Sequence, residues 1–147
     1  MSITLIEPHG GRLVNLLADS SDFSALKDES NEYPSWTLTD RQICDLELLL
    51  NGGFSPLNGF MIKNDYESVL ESMCLADGTL WPIPITLDVS DQFAKEIKGR
   101  EKITLRDKEG FALALLTVSD IWQPDLQKEA SAVYGTTDTI HPAVNYM

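Results

Sequence analysis

The chain is poor in the residues that most often carry chemistry. Its 147 residues include two cysteines, Cys44 and Cys74, and two histidines, His9 and His141. Two cysteines make no disulfide framework, and reduced thiols predict a cytoplasmic location. No pair among the four falls at Cys-x-x-Cys or His-x-x-x-His spacing, so no metal site is predicted. Positive charge is scarce too: 11 Lys and Arg against 23 Asp and Glu leave a net charge of −12. Such a field repels phosphate backbones and anionic membranes, which argues against nucleic acid and membranes as partners. The longest apolar run, residues 111–116, is far short of a membrane span. Residues 1–10 have neither the basic start nor the apolar stretch of a secretory signal.

What is present is the composition of an ordinary globular domain, 43% hydrophobic and 23% charged. A chain of this length buries roughly 70% of its unfolded surface and needs no covalent staple. Residues 19–35 are polar and loop-like, with a short helix predicted near Phe23 to Lys27. Thr39-Asp-Arg-Gln42 is a capping box, and Leu38 and Ile43 are spaced for a hydrophobic staple. Ile43, Leu46, Leu49 and Leu50 then share one helical face, and Gly52 suits the position just past the helix end. A second helix is predicted from Asn64, with Tyr66, Val69, Leu70 and Met73 as its apolar stripe. In residues 80–89 the period changes to two: Trp81, Ile83, Ile85, Leu87 and Val89 on one face, Pro82 and Pro84 on the other. That pattern predicts an edge strand or a barrel rim. Ser90 caps a short predicted helix ending at Gly99. Residues 103–106 and 111–118 read as strands joined by Asp107-Lys-Glu-Gly110, and residues 125–134 as a helix closed by Gly135. Short strands among short helices predict an α+β fold built on a small barrel or curled sheet. The tail through His141-Pro142 and Tyr146 has no closing cap and reads as cut.

The stretch Leu-Leu-Leu-Asn-Gly-Gly-Phe-Ser-Pro-Leu-Asn-Gly-Phe-Met, residues 48–61, combines three glycines, a proline and two phenylalanines that read as exposed. A phosphate loop would need Gly-Lys-Ser/Thr, which does not follow, and Pro56 removes an amide donor. A nucleophile elbow would need a glycine two residues after Ser55 and a strand before it; both are missing, and a turn serine is the reading that remains. Asp40, Asp45 and Glu47 lack convergent spacing, and Arg41 and Asp45 form a helical i, i+4 pair. Lys95, Lys98, Arg100, Lys102, Arg106 and Lys108 hold six of the eleven cations. Interleaved acids and absent aromatics make that run a solvated mixed-charge face rather than an RNA site. No constellation here carries a reaction, so no catalytic, cofactor-binding or metal residue is assigned.

The residues resemble a known family. Pro34-Ser-Trp-Thr-Leu-Thr-Asp-Arg-Gln-Ile-Cys-Asp-Leu-Glu-Leu-Leu-Leu-Asn-Gly-Gly-Phe-Ser-Pro-Leu-Asn-Gly-Phe-Met61 is similar to part of the N-terminal domain of ATP sulfurylases (sulfate adenylyltransferases). Gly11-Arg-Leu-Val-Asn-Leu16, Leu75-Ala-Asp-Gly-Thr-Leu-Trp-Pro-Ile-Pro-Ile-Thr-Leu-Asp88, Arg106-Asp-Lys-Glu-Gly110, and Tyr134-Gly-Thr-Thr-Asp138 with His141-Pro142 follow in order. The resemblance implies that residues 1–147 are a PUA-like small β-barrel with several short helices, followed in the parent protein by a separate nucleotidyltransferase domain. The family joins MgATP and sulfate into adenosine 5′-phosphosulfate and pyrophosphate, in sulfate assimilation or in reverse in sulfur oxidation. Its substrate motifs, Gln-x-Arg-Asn-Pro, His-x-x-His and Gly-Arg-Asp, are all missing; the arginines are Arg12, Arg41, Arg100 and Arg106. The expectation is therefore a non-catalytic domain, inactive alone and without a cofactor of its own. Its partner would be its own downstream catalytic domain, within a homo-oligomer of the full-length enzyme. The alternative is a stand-alone PUA-like interaction module that binds RNA.

Overall fold

The computed structural model describes residues 5–147. Residues 1–4, the start of the stretch read as no secretory signal, lie outside the described residues. Chain packing separates two compact units: the described part of Met1–Phe60 together with Leu87–Ser119, and Met61–Thr86 together with Asp120–Met147.

The first unit holds helices α1 (Phe23–Glu29), α2 (Asp40–Leu50) and α4 (Asp91–Glu96), and strands β1 (Ser35–Thr37), β2 (Lys102–Arg106) and β3 (Ala112–Thr117). The α2 start is the expected capping box. Thr39 Oγ1 accepts from Gln42 N–H, and Gln42 Oε1 accepts from Thr39 N–H. Ser90 caps α4 by accepting from Phe93 N–H. β2 is central, parallel to β1 and antiparallel to β3, with a bulge where Arg106 meets Ala112. Leu38, Leu46, Phe93, Ile97, Ile103 and Leu105 form the core, and Trp36, Ile43, Phe60, Leu87, Val89, Ala114 and Leu116 pack on it. Leu38 and Ile43, the predicted staple, thus meet the same cluster.

The second unit holds α3 (Lys63–Ser72), α5 (Leu126–Tyr134) and α6 (Pro142–Tyr146). Tyr66 on α3 packs its ring on Trp122 at 5.5 Å and donates its hydroxyl to Glu129 Oε2 on α5 at 2.8 Å. Asp125 caps α5 through Gln127 and Lys128 N–H, and Gly135 closes it in the left-handed region at φ 68°. Tyr66, Val69, Leu75, Ile85 and Ala130 are buried. Met73, expected on the α3 stripe, instead sits at the C-cap at φ 54°, with its side chain exposed.

The fold is α+β. Its sheet has three strands among the described residues and is not closed into a barrel. The expected strand over residues 80–89 does not form; the stretch makes one bridge, between Cys74 and Leu80. Pro82 and Pro84 remove two amide donors, which a ladder does not tolerate in its interior. The predicted faces are also broken, since Ile83 is exposed and Pro84 buried. Three elements among the described residues had no expectation attached to them: a single 3₁₀ turn over His9–Gly11, β1, of which only Ser35 lies in the stretch read as loop, and α6 in the tail.

Candidate functional site

The glycine-rich stretch after α2 is the feature most open to chemistry, and its geometry is structural. Gly52 lies at φ 85°, and a Cβ there would meet Val14 O at 2.8 Å. The left-handed turn and the close backbone approach together require glycine. Ser55 is buried; its hydroxyl donates to Gly52 O at 2.7 Å and accepts from Val14 N–H at 2.9 Å. Leu16 N–H donates to Leu50 O at 2.9 Å. These contacts tie the N-terminal arm, residues 12–17, to the end of α2. Leu57 and Met61 are buried, and Phe54 and Phe60, which read as exposed, are half-buried. On the arm, by contrast, Leu13 is 64% and Leu17 58% exposed.

A polar cluster lies at the start of α2. Gln42 is 2% exposed; its Oε1 accepts from Thr39 N–H at 3.1 Å and from Trp36 Nε1 at 3.3 Å. Its Nε2 donates to Asp88 O at 2.7 Å. Arg41 bridges Asp45 at 2.8 Å and also the Asp88 carboxylate. Burial pushes the Asp45 carboxyl above its ordinary value, with Arg41 opposing and Asp88 adding to the rise. Sequence spacing shows the Arg41–Asp45 pair but not Asp88, which joins from 47 residues away. Beside this cluster an open groove of about 420 Å³ runs past Trp36 and Phe93, whose rings stack at 5.0 Å. Ser35, Thr37, Ser90, Gln92 and Glu96 complete its lining. Its one ionisable group is Glu96, and no hydrogen bond joins that carboxylate to a lining hydroxyl among the described residues, so a nucleophile–base pair is not assembled there.

The basic run splits. Lys102 reaches Glu29 at 2.7 Å, Lys108 reaches Asp40 at 2.6 Å, and Arg106 donates to Ser35 Oγ, Gly110 O and Ser30 O. The Lys102 hydrogen bond holds the Glu29 carboxyl below its ordinary value, and the same bond raises Lys102. No three His, Cys, Asp or Glu side chains converge to hold a metal ion among the described residues. His141 stacks on Tyr134 at 5.2 Å, and its Nδ1 is buried without a hydrogen-bond partner among the described residues. No described helix is long and apolar enough to cross a membrane.

Comparison with known proteins gives one consistent family. Residues 6–147 match a family described as a PUA-like domain. The chain is 48% identical over 144 residues to a sulfate adenylyltransferase of Eremothecium gossypii, covering 97% of this chain and 29% of that protein. It is 50% identical over 143 residues to a sulfate adenylyltransferase of Kluyveromyces lactis, covering 95% and 28%. A solved structure described as a hexameric APS kinase from Thiobacillus denitrificans aligns at TM-score 0.74 and 45% identity, covering 82% of this chain and 24% of that one. The chain thus spans under a third of the length of these relatives.

Proposed function

The chain belongs to the PUA-like domain family, and from that membership we propose that it is the non-catalytic N-terminal domain of a sulfate adenylyltransferase. The observation that carries this reading is the lopsided coverage. About half of the residues are identical across 95–97% of this chain, but only 28–29% of each relative is involved. The remaining length is where a nucleotidyltransferase domain would lie, with MgATP and sulfate as its substrates. Attack of sulfate on an α-phosphorus brings two anions together and needs clustered positive charge. At −12, with Lys102, Arg106 and Lys108 engaged internally, this chain is ill-suited to supply it, and no catalytic residue is assigned to it.

In this reading the domain supports the catalytic domain and a homo-oligomer of the whole enzyme, in the cytoplasm. The exposed Leu13 and Leu17 on the tethered arm are apolar surface of the kind that marks a contact site. The finer fold we propose is a small, partly open barrel completed on the β1 side. Leu87 and Val89 pack on the core cluster while Asp88 between them is exposed, the two-residue period of a strand facing the core.

Sequencing the gene past the Met147 codon, then assaying adenosine 5′-phosphosulfate synthesis, tests the reading. The frame is expected to continue into Gln-x-Arg-Asn-Pro and His-x-x-His, with activity in the longer protein and none in residues 1–147. A stop codon after Met147, or synthesis by the short chain, would overturn it.

A further inference from the structure

We propose that the outer edge of β3 is a self-association surface, where a second copy of this chain pairs antiparallel along residues 113–117. The ladder fixes which backbone groups are available. Val118 N–H donates to Glu101 O at 2.8 Å, and Ile103 pairs with Leu116 and Leu105 with Ala114. In an antiparallel pair the bonded residues alternate, so Ala114, Leu116 and Val118 turn their backbones toward β2. Leu115 and Thr117 turn theirs outward, with Leu113 beside the bulge. Outside the ladder to β2, neither Leu115 nor Thr117 makes a backbone hydrogen bond among the described residues. The inward side chains, Ala114 and Leu116, lie on the core, whereas Leu113 is 39% and neighbouring Phe111 71% exposed.

Edge strands are ordinarily defended by lysine, proline, a central bulge or a covering segment. Residues 111–119 carry no charge and no proline, and the bulge lies at the N-terminal end of β3. The charge pattern selects the occupant. At −12 overall, most faces of this chain repel a second copy. This edge sets no like charges opposite one another when it pairs with itself in reverse, so the electrostatic cost of self-pairing is smallest here. Two copies related by a twofold axis satisfy each other's outward groups and close the assembly at a dimer, with β1-β2-β3 continued into its mate.

The test is the concentration dependence of mass in light scattering or sedimentation, for the wild-type chain, Leu113→Lys and Leu115→Pro. Leu113→Lys adds a defending charge at an already exposed position. Leu115→Pro deletes an outward amide while sparing the ladder to β2, the one setting in which an edge strand accepts proline. The wild-type chain is expected to dimerise, with slower amide exchange at Leu115 and Thr117 as concentration rises. Each folded variant should weaken the dimer by about tenfold or more. If Leu115→Pro misfolds, Leu113→Lys and the two amides decide the matter. A wild-type chain that stays monomeric at every concentration would overturn the proposal and leave the edge to another segment of a longer protein. A dimer that Leu113→Lys does not weaken, with the two amides indifferent to concentration, would also overturn it.

Discussion

Gln42 sits where three segments meet: the cap of α2, the indole of Trp36 on β1 and the carbonyl of Asp88. Half of that role is legible in the sequence, because a capping box is a local pattern with a fixed three-residue spacing. The other half is not, since no local rule links position 42 to position 88. The same limit applies to Arg41, whose i, i+4 partner Asp45 is readable while Asp88 is not. Gln42→Ala would leave two donors and one acceptor buried without partners. Each such group costs roughly 1–3 kcal/mol, so a loss of about 3 kcal/mol in denaturant unfolding is expected. Gln42→Glu keeps the acceptor but turns a buried carboxylate oxygen onto the Asp88 carbonyl, so at neutral pH it should cost at least as much as the alanine change. A loss below about 1 kcal/mol for the alanine variant would mean that water replaces the amide at little cost.

The longer helices were the most readable elements, because their apolar stripes and several of their ends are local patterns. Thr39 and Ser90 accept the expected amide bonds and Gly135 closes α5 as expected, while Asp125, read only as the start of that helix, proves to be its cap. Residues 80–89 were misread because a two-residue apolar period does not register the two missing amides of Pro82 and Pro84. β1 was missed because three residues are too few to show a period, and β2 supplies the pairing that defines it. Helix ends also separate two causes of glycine use. Gly52 and Gly135 both follow a helix at positive φ, 85° and 68°, but only Gly52 has a neighbour that a Cβ would strike. Gly135→Ala should cost about 1–2 kcal/mol, the backbone penalty alone. Gly52→Ala should cost more, because the obstructing atom is the Val14 carbonyl oxygen and the arm must move away from the α2 end. Equal losses in thermal or urea unfolding would show that the arm yields freely.

At the scale of the whole chain, charge distribution bears on partners more than any one residue does. Composition alone shows −12 and a run of six cations within residues 95–108, and it leaves open whether that run is free to meet an anion. The fold largely answers this. Lys102 is held by Glu29, Lys108 by Asp40, and Arg106 by the carbonyls of Ser30 and Gly110. That leaves Lys95, Lys98 and Arg100 near the end of α4, beside the exposed Glu96 and Glu101. RNA binding without base-specific contacts rests on cations that neutralise phosphates and release counterions, together with aromatic faces for stacking. A few cations flanked by carboxylates within an acidic field supply little of either. Filter retention of structured RNA is therefore expected to stay at background at low salt and not to change as salt rises. Retention that is strong at low salt and falls steeply with added salt would show a local basic surface overcoming the net field, and would favour the RNA-binding module over the sulfurylase domain. Lys98→Glu and Arg100→Glu would then locate it, because the loss should follow those positions.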